Sequence, residues 1–193
     1  MTYMTSVRNA EPGVDLITTA QAKRWVRRDD DDDVEDIDLL IASAMSHLDG
    51  IDGILRRALI NQEWIDVWNG FPVGDRLPLA LAPVSAVSSV SYSDENNSPQ
   101  TLASGTYSLH RDFSGSYLRL ASGGSWPATY ERDDAVTVTY TAGYGAGATD
   151  VPAEIRLAAR ELILDWYGSE GDRPESLPAA IMTKLRRFIR PHF

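Results

Sequence analysis

Residues 34–68 read VEDIDLLIASAMSHLDGIDGILRRALINQEWIDVW, and two periodicities meet inside them. Through Leu59 the apolar residues Ile37, Ile41, Ala44, Leu48, Ile51, Leu55 and Ala58 follow one another at 4-3-4-3-4-3 spacing. That is a heptad-like seam on one helix face. From Glu63 to Trp68 the alternation has period two, the mark of a half-buried strand. The first pattern predicts a long central helix of roughly 27 residues, a rod of ~40 Å at ~1.5 Å per residue. Gly50 and Gly53 weaken such a helix by ~1 kcal/mol each relative to alanine, so a kink or a close helix contact is expected there. The switch at residue 61 puts helix and sheet in one chain, an α+β protein.

On the amino-terminal side, residues 1–17 lack periodicity and read as a flexible arm. Thr18 or Thr19 can cap a short helix from Ala20 to Arg27. The five aspartates Asp29 to Asp33 stop it, and they suit the start of the next helix, where carboxylates meet the positive end of the dipole. On the carboxy-terminal side, Val87 to Tyr92, Tyr107 to His110, Tyr117 to Leu120 and Val136 to Tyr140 are short strand-like runs separated by turn formers. They predict an inserted antiparallel meander or small barrel over 61–150. Helix returns at Pro152 with a stripe of Ile155, Ala159, Leu162 and Trp166, and Gly168 is its natural stop. Pro178 opens a last helix with Ile181, Leu185 and Phe188 on one side and Lys184, Arg187 and Arg190 on another. The plan is a helical bundle (18–60 and 152–193) around a β-rich insertion.

The chain has 193 residues, 18 Lys and Arg against 28 Asp and Glu, and no cysteine. Absence of cysteine removes disulfides, thiol nucleophiles and thiolate metal sites. The length suits one domain, with neither a membrane-spanning run nor an apolar leader, so an intracellular protein is expected. A net charge of −10 argues against a surface that grips DNA, which needs clustered Lys and Arg. The charge is unevenly spread: −11 over residues 1–150 and +1 over residues 151–193. Such asymmetry suggests a contact between unlike surfaces.

Motifs for chemistry are weak. Gly143-Tyr144-Gly145-Ala146-Gly147-Ala148 fits G-x-G-x-x-A, but the helix begins too late for its amides to meet a phosphate held by these glycines. A hinge is the better reading. Asp29, Asp31 and Asp33 alternate as in a calcium loop, yet Val34 stands at the glycine position and Leu40 at the glutamate position. His47, His110 and His192 are scattered, so no metal site is expected, and no cofactor either. No nucleophile elbow or phosphate-binding loop occurs. Trp64, Trp68, Tyr92, Tyr107, Tyr117, Trp126 and Tyr140 crowd the β segment; core and sheet packing explains them, and an adhesive surface is the alternative.

The ensemble resembles the head–tail connector, or adaptor, proteins of tailed bacteriophages and gene transfer agents. The residues that carry the resemblance begin with Thr19-Ala20-Gln21-Ala22-Lys23 and Val26-Arg27, then the acidic run into Ile37 to Ile41. Arg57-Ala58-Leu59-Ile60-Asn61-Gln62 with Trp64 follows, then Leu77-Pro78-Leu79 to Pro83-Val84, Val87 to Val90 with Tyr92, and Ser125-Trp126-Pro127. Val138 to Gly145 and Val151-Pro152-Ala153-Glu154-Ile155-Arg156 before Trp166-Tyr167 complete it. The resemblance implies a virion protein and not an enzyme: residues 18–193 as one connector domain, assembled in the host cytoplasm into a ring, commonly a dodecamer, under the portal vertex. Its partners would be the portal protein, a tail-side connector or stopper protein, and DNA that passes through without specific binding. Within it, Glu35, Asp38, Asp49 and Asp52 are candidates for the channel lining or the subunit interface, since carboxylates repel the DNA backbone. Lys184, Arg187, Phe188, Arg190 and Phe193 are candidates for portal docking. The alternative is a non-enzymatic module that recognises glycan or a tail protein through the aromatic insertion.

Overall fold

The computed structural model describes residues 3–27, 33–169 and 177–190. Among them are eight strands: β1 (Tyr3–Ala10), β2 (Gln62–Trp68), β3 (Arg76–Pro78), β4 (Val84–Ser93), β5 (Pro99–Thr101), β6 (Tyr107–Asp112), β7 (Gly115–Leu120) and β8 (Val136–Ala142). The α-helices are α1 (Thr19–Val26), α2 (Val34–Leu48), α3 (Ala153–Gly168) and α4 (Ala179–Leu185), the last continued by a 3-10 turn over Arg186–Phe188. The chain forms two compact units. A β unit comprises Met1–Gly13 and Asn61–Gly143; a helical unit comprises Val14–Ile60 and Tyr144–Phe193.

The β unit has a five-stranded sheet in the order β1-β2-β8-β4-β5 and a three-stranded sheet in the order β3-β7-β6. Every pairing is antiparallel. Strict alternation sets the register of β2 on β8: Trp64, Asp66 and Trp68 are buried opposite Tyr140, Val138 and Val136. Val90, Leu77 and Leu118 from three other strands are buried as well, with Leu79 and Leu81 after β3. The order is not a simple meander, because β8, last in sequence, lies between β2 and β4. Its alternating Val-Thr-Val-Thr-Tyr pattern fits a central strand, which is flanked on both edges.

The buried face contains a carboxylate. Asp66 is fully buried and accepts from the Ser6 hydroxyl at 2.5 Å, the Tyr140 hydroxyl at 2.9 Å and the Ala80 amide at 2.7 Å. The Tyr140 oxygen in turn accepts from the Leu81 amide at 3.3 Å. One acid thus joins β1, β2, β8 and the segment after β3, and hydrogen bonding offsets the cost of burying it. The amino-terminal residues expected as an arm instead form β1. Irregularities between Tyr3 and Thr5 and between Arg8 and Ala10 break the two-residue period there, so the strand carries no alternation signal.

In the helical unit Thr18, not Thr19, caps α1. Its hydroxyl accepts from the Gln21 amide and the Gln21 side chain accepts from the Thr18 amide, a reciprocal capping box. Ile37, Leu40, Ala44 and Leu48 of α2 pack in one core with Ile155, Ala159, Leu162, Ile163 and Trp166 of α3 and with Ile181 and Leu185 of α4. Full burial of each large aliphatic side chain is worth about 1.5–3 kcal/mol.

The long central helix is shorter than expected. α2 ends at Leu48 after 15 residues, and residues 49–60 fold back as a compact turn. Gly50 takes φ +85° and Arg56 φ +50°, both left-handed. The turn is closed by bonds from the Ile54 amide to the His47 carbonyl, from the Gly50 amide to the Arg57 carbonyl, and from the Leu59 amide to the Asp49 carboxylate. Leu55 and Ala58 continue the apolar spacing because they are buried, but in a turn and not on a helix face.

Candidate functional site

Of the five carboxy-terminal docking candidates, the four that are described do not form a free basic face. Lys184 donates to both carboxylate oxygens of Glu161 on α3, and Arg187 pairs with Glu154, also on α3. The amide of Glu154 itself, and then Arg187, hold the Glu154 carboxyl below the usual glutamate range. The Arg187 guanidinium also lies over the Phe188 ring, 4.7 Å from its centroid. Phe188 packs against the helical core, and its carbonyl accepts from Arg57 Nε at 2.6 Å. The Arg190 amide donates to the Leu55 carbonyl at 3.2 Å. The segment after α4 is therefore fastened to the 49–60 turn. Phe193 lies outside the described residues.

Of the acidic candidates, Glu35 and Asp38 are exposed on α2, with Glu35 in its first turn, where negative charge is favourable. Asp38 accepts from the Thr19 hydroxyl at 2.5 Å. Asp49 has an internal role, capping the Leu59 amide at 2.7 Å, whereas Asp52 is exposed in the turn. The first two thus sit on a helix and the last two in the turn that replaces its second half. Of the acidic run Asp29 to Asp33, only Asp33 is described, and it accepts from the Tyr167 hydroxyl at 2.9 Å.

The glycine-rich link closes on its own chain. Asp150 accepts from the Gly147 amide at 2.9 Å, and a Cβ at Gly145 would collide with the Asp150 carboxylate. An intrinsic carboxylate holds the turn that the motif alone would offer to a phosphate. The aromatic residues also divide. Trp64, Trp68 and Tyr140 are buried. Trp126 stacks on Phe71 at 4.9 Å with 6° between rings and donates its indole N–H to the Gly74 carbonyl, and Phe71 meets Tyr92 edge-on. Phe71 was not singled out by sequence, because its neighbours Gly70 and Pro72 mark it only as part of a turn. Among the described residues no helix is long and apolar enough to cross a membrane.

No protein-family model matches this chain, and no curated protein matches it. Solved structures do. A chain from the neck of an empty gene transfer agent particle, computed with C6 symmetry, matches with a TM-score of 0.79. It is 19% identical, over 98% of this chain and 97% of that one. This chain has the fold of a gene transfer agent neck protein. A chain from the virion of a native particle matches with a TM-score of 0.73 at 18% identity, over 98% and 97% of the two chains. One from the neck of a native particle, computed with C12 symmetry, matches at 0.65 and 19% identity, over 95% and 96%. Coverage is essentially complete on both sides, so the likeness includes the β unit as well as the helices.

Proposed function

We propose that the protein is a structural head–tail connector: a neck protein of a gene transfer agent or tailed phage that forms a ring beneath the portal vertex, extends the DNA channel and offers the tail its attachment surface. The observation that carries this reading is the full-length fold match to neck chains of particles computed with C6 and C12 symmetry. Those symmetries favour a ring, a dodecamer in the C12 case. The acid excess suits a channel wall along which DNA slides, because like charge denies the backbone a binding surface. Light scattering on the purified protein, alone and with portal protein, tests the reading. A species of about twelve protomer masses is expected on the ring reading; a strict monomer that ignores portal would refute it.

The carboxy-terminal segment remains our candidate for portal docking, but its ion pairs change the test. Charge reversal at Lys184 alone would set two acids together on α3 and α4 and disturb the helical unit. The double exchange Glu161→Lys with Lys184→Glu preserves the pair while inverting which helix carries the positive charge. It is expected to keep the melting temperature within a few degrees and to weaken portal binding about 10-fold or less, as rim charges do. Portal binding that is unchanged by this exchange and by Arg190→Glu would remove the segment from the docking surface.

A further inference from the structure

The two sheets of the β unit have outward faces of opposite character. The three-stranded sheet shows Arg76, Arg119 and His110 outward, with Asp75 bound to Arg119 at 2.7 Å and Asp112 to Arg76 at 3.2 Å. That is a solvated surface. In the five-stranded sheet the charged residues are Arg8, Glu63 and Asp66 alone, although 24% of the whole chain is charged. Asp66 is buried, Arg8 lies over the inward-facing Trp64 at 5.2 Å, and Glu63 sits at one end of β2, held by Asn9 and Ser88. Beyond Glu63 the outward side includes Val7, Ile65, Val67, Thr137, Thr139 and Ser89, contiguous across four strands. Val7 is 54% exposed.

On this face the one charged residue, Glu63, lies at the end of β2 and is engaged by Asn9 and Ser88, so the rest offers nothing to DNA phosphates or to a charged partner, and depletion of charge marks the core of a protein–protein interface. Four strands at ~4.8 Å spacing and ~23 Å of strand length give a footprint on the order of 400 Å², about half of what one partner contributes to a standard interface. The same chain carries an uncharged knob of matching chemistry. Phe113, at the tip of the β6–β7 hairpin, is 90% exposed. The tip is nevertheless held in shape: Asp112 accepts from the Ser114 amide at 2.9 Å and is gripped by Arg76. An exposed aromatic side chain on a backbone turn held in shape is the form of an interface anchor.

Resting on the ring reading above, we propose that the outward face of the five-stranded sheet is covered by a second copy of the chain, which inserts its Phe113 hairpin tip. Face and tip are different surfaces, so the contact is heterologous. Each copy gives one surface and receives the other, and the series closes only as a ring. A face that paired with itself would stop at a dimer.

The cysteine-free sequence permits a clean test. A Ser114→Cys, Thr139→Cys double variant, which keeps the Phe113 anchor, treated with a short bis-maleimide should give a ladder of multimers ending in a closed ring, with no ladder from either single variant. Val67→Lys and Phe113→Asp should each weaken self-association about 30-fold or more, as burial of a charge in an interface core does, with the melting temperature unchanged. Mixed together, these two variants should form dimers and nothing larger, through the one intact tip and the one intact face. Rings that persist in both charged variants, or cross-links joining Thr139 to Thr139 alone, would overturn the proposal while leaving the connector reading in place. A wild-type protein that never assembles, with or without portal, would overturn the connector reading first.

Discussion

Replacing Asp66 by alanine should destabilise the protein by about 3–5 kcal/mol, among the largest effects of any single substitution in the β unit. The side chain is fully buried and receives three donors, the Ser6 hydroxyl, the Tyr140 hydroxyl and the Ala80 amide. Alanine leaves these donors in an interior that water does not reach, at ~1–3 kcal/mol for each one that finds no new partner. Asparagine should not rescue: its amide group would turn donors toward donors. The fault should be felt first at the sheet edge, because β1 reaches the core through Ser6. Urea unfolding gives the loss of stability, and hydrogen exchange should show the β1 amides losing protection before those of β8. An Asp66→Ala protein with wild-type stability would mean that the carboxylate is not the joint between these elements.

The same cluster predicts a response to alkali. Burial, then the nearby Asp66 charge, push the Tyr140 hydroxyl well above its ordinary value of 10.0. A raised acid gives stability that is complete below the unfolded value, so unfolding free energy should hold to about pH 10 and fall as pH rises beyond it. Tyr140→Phe should flatten that alkaline limb. Below pH 10 it should cost about 1–2 kcal/mol for the lost hydrogen bonds.

How far the fold was legible depended on whether a local period survived tertiary packing. β2 and β8 alternate without interruption because each buries one face along its whole length, and both were readable. β1 was not, since irregular pairing at both ends breaks its period. β3 and β5 are three residues each, too short for any period. The carboxy-terminal helix is amphipathic as its spacing predicts, yet Lys184 and Arg187 are paired with acids 23 and 33 positions earlier. No spacing rule spans that separation; the pairing needs α3 and α4 to be packed together. Phe113 could have been noticed as an aromatic residue in the turn sequence Asp-Phe-Ser-Gly, but exposure becomes visible only once the hairpin is built.

The sharpest disagreement between a periodic reading and the folded chain is at Gly53, and it reverses the sign of a measurable quantity. Were residues 34–60 one helix, Gly53→Ala would stabilise it by ~1 kcal/mol. In the folded turn a Cβ on Gly53 would lie 2.5 Å from the Asp49 carbonyl oxygen and 2.7 and 2.8 Å from the carbonyl carbons of Leu48 and Asp49. All three are backbone atoms at the end of α2, so relief requires moving the helix terminus. That terminus is held by the Ile54 amide on the His47 carbonyl and by Asp49 on the Leu59 amide, and Leu55 and Leu59 are seated in the core. Gly53→Ala should therefore destabilise by about 2–4 kcal/mol, in the range of overpacking. Gly50→Ala should cost about 1 kcal/mol, since there the obstacle is the left-handed φ of +85°. Ala42→Gly, on the exposed side of α2, should cost ~1 kcal/mol by propensity alone. Thermal unfolding of the three variants separates the cases: a Gly53→Ala protein more stable than wild type would mean that the helix runs on past Leu48.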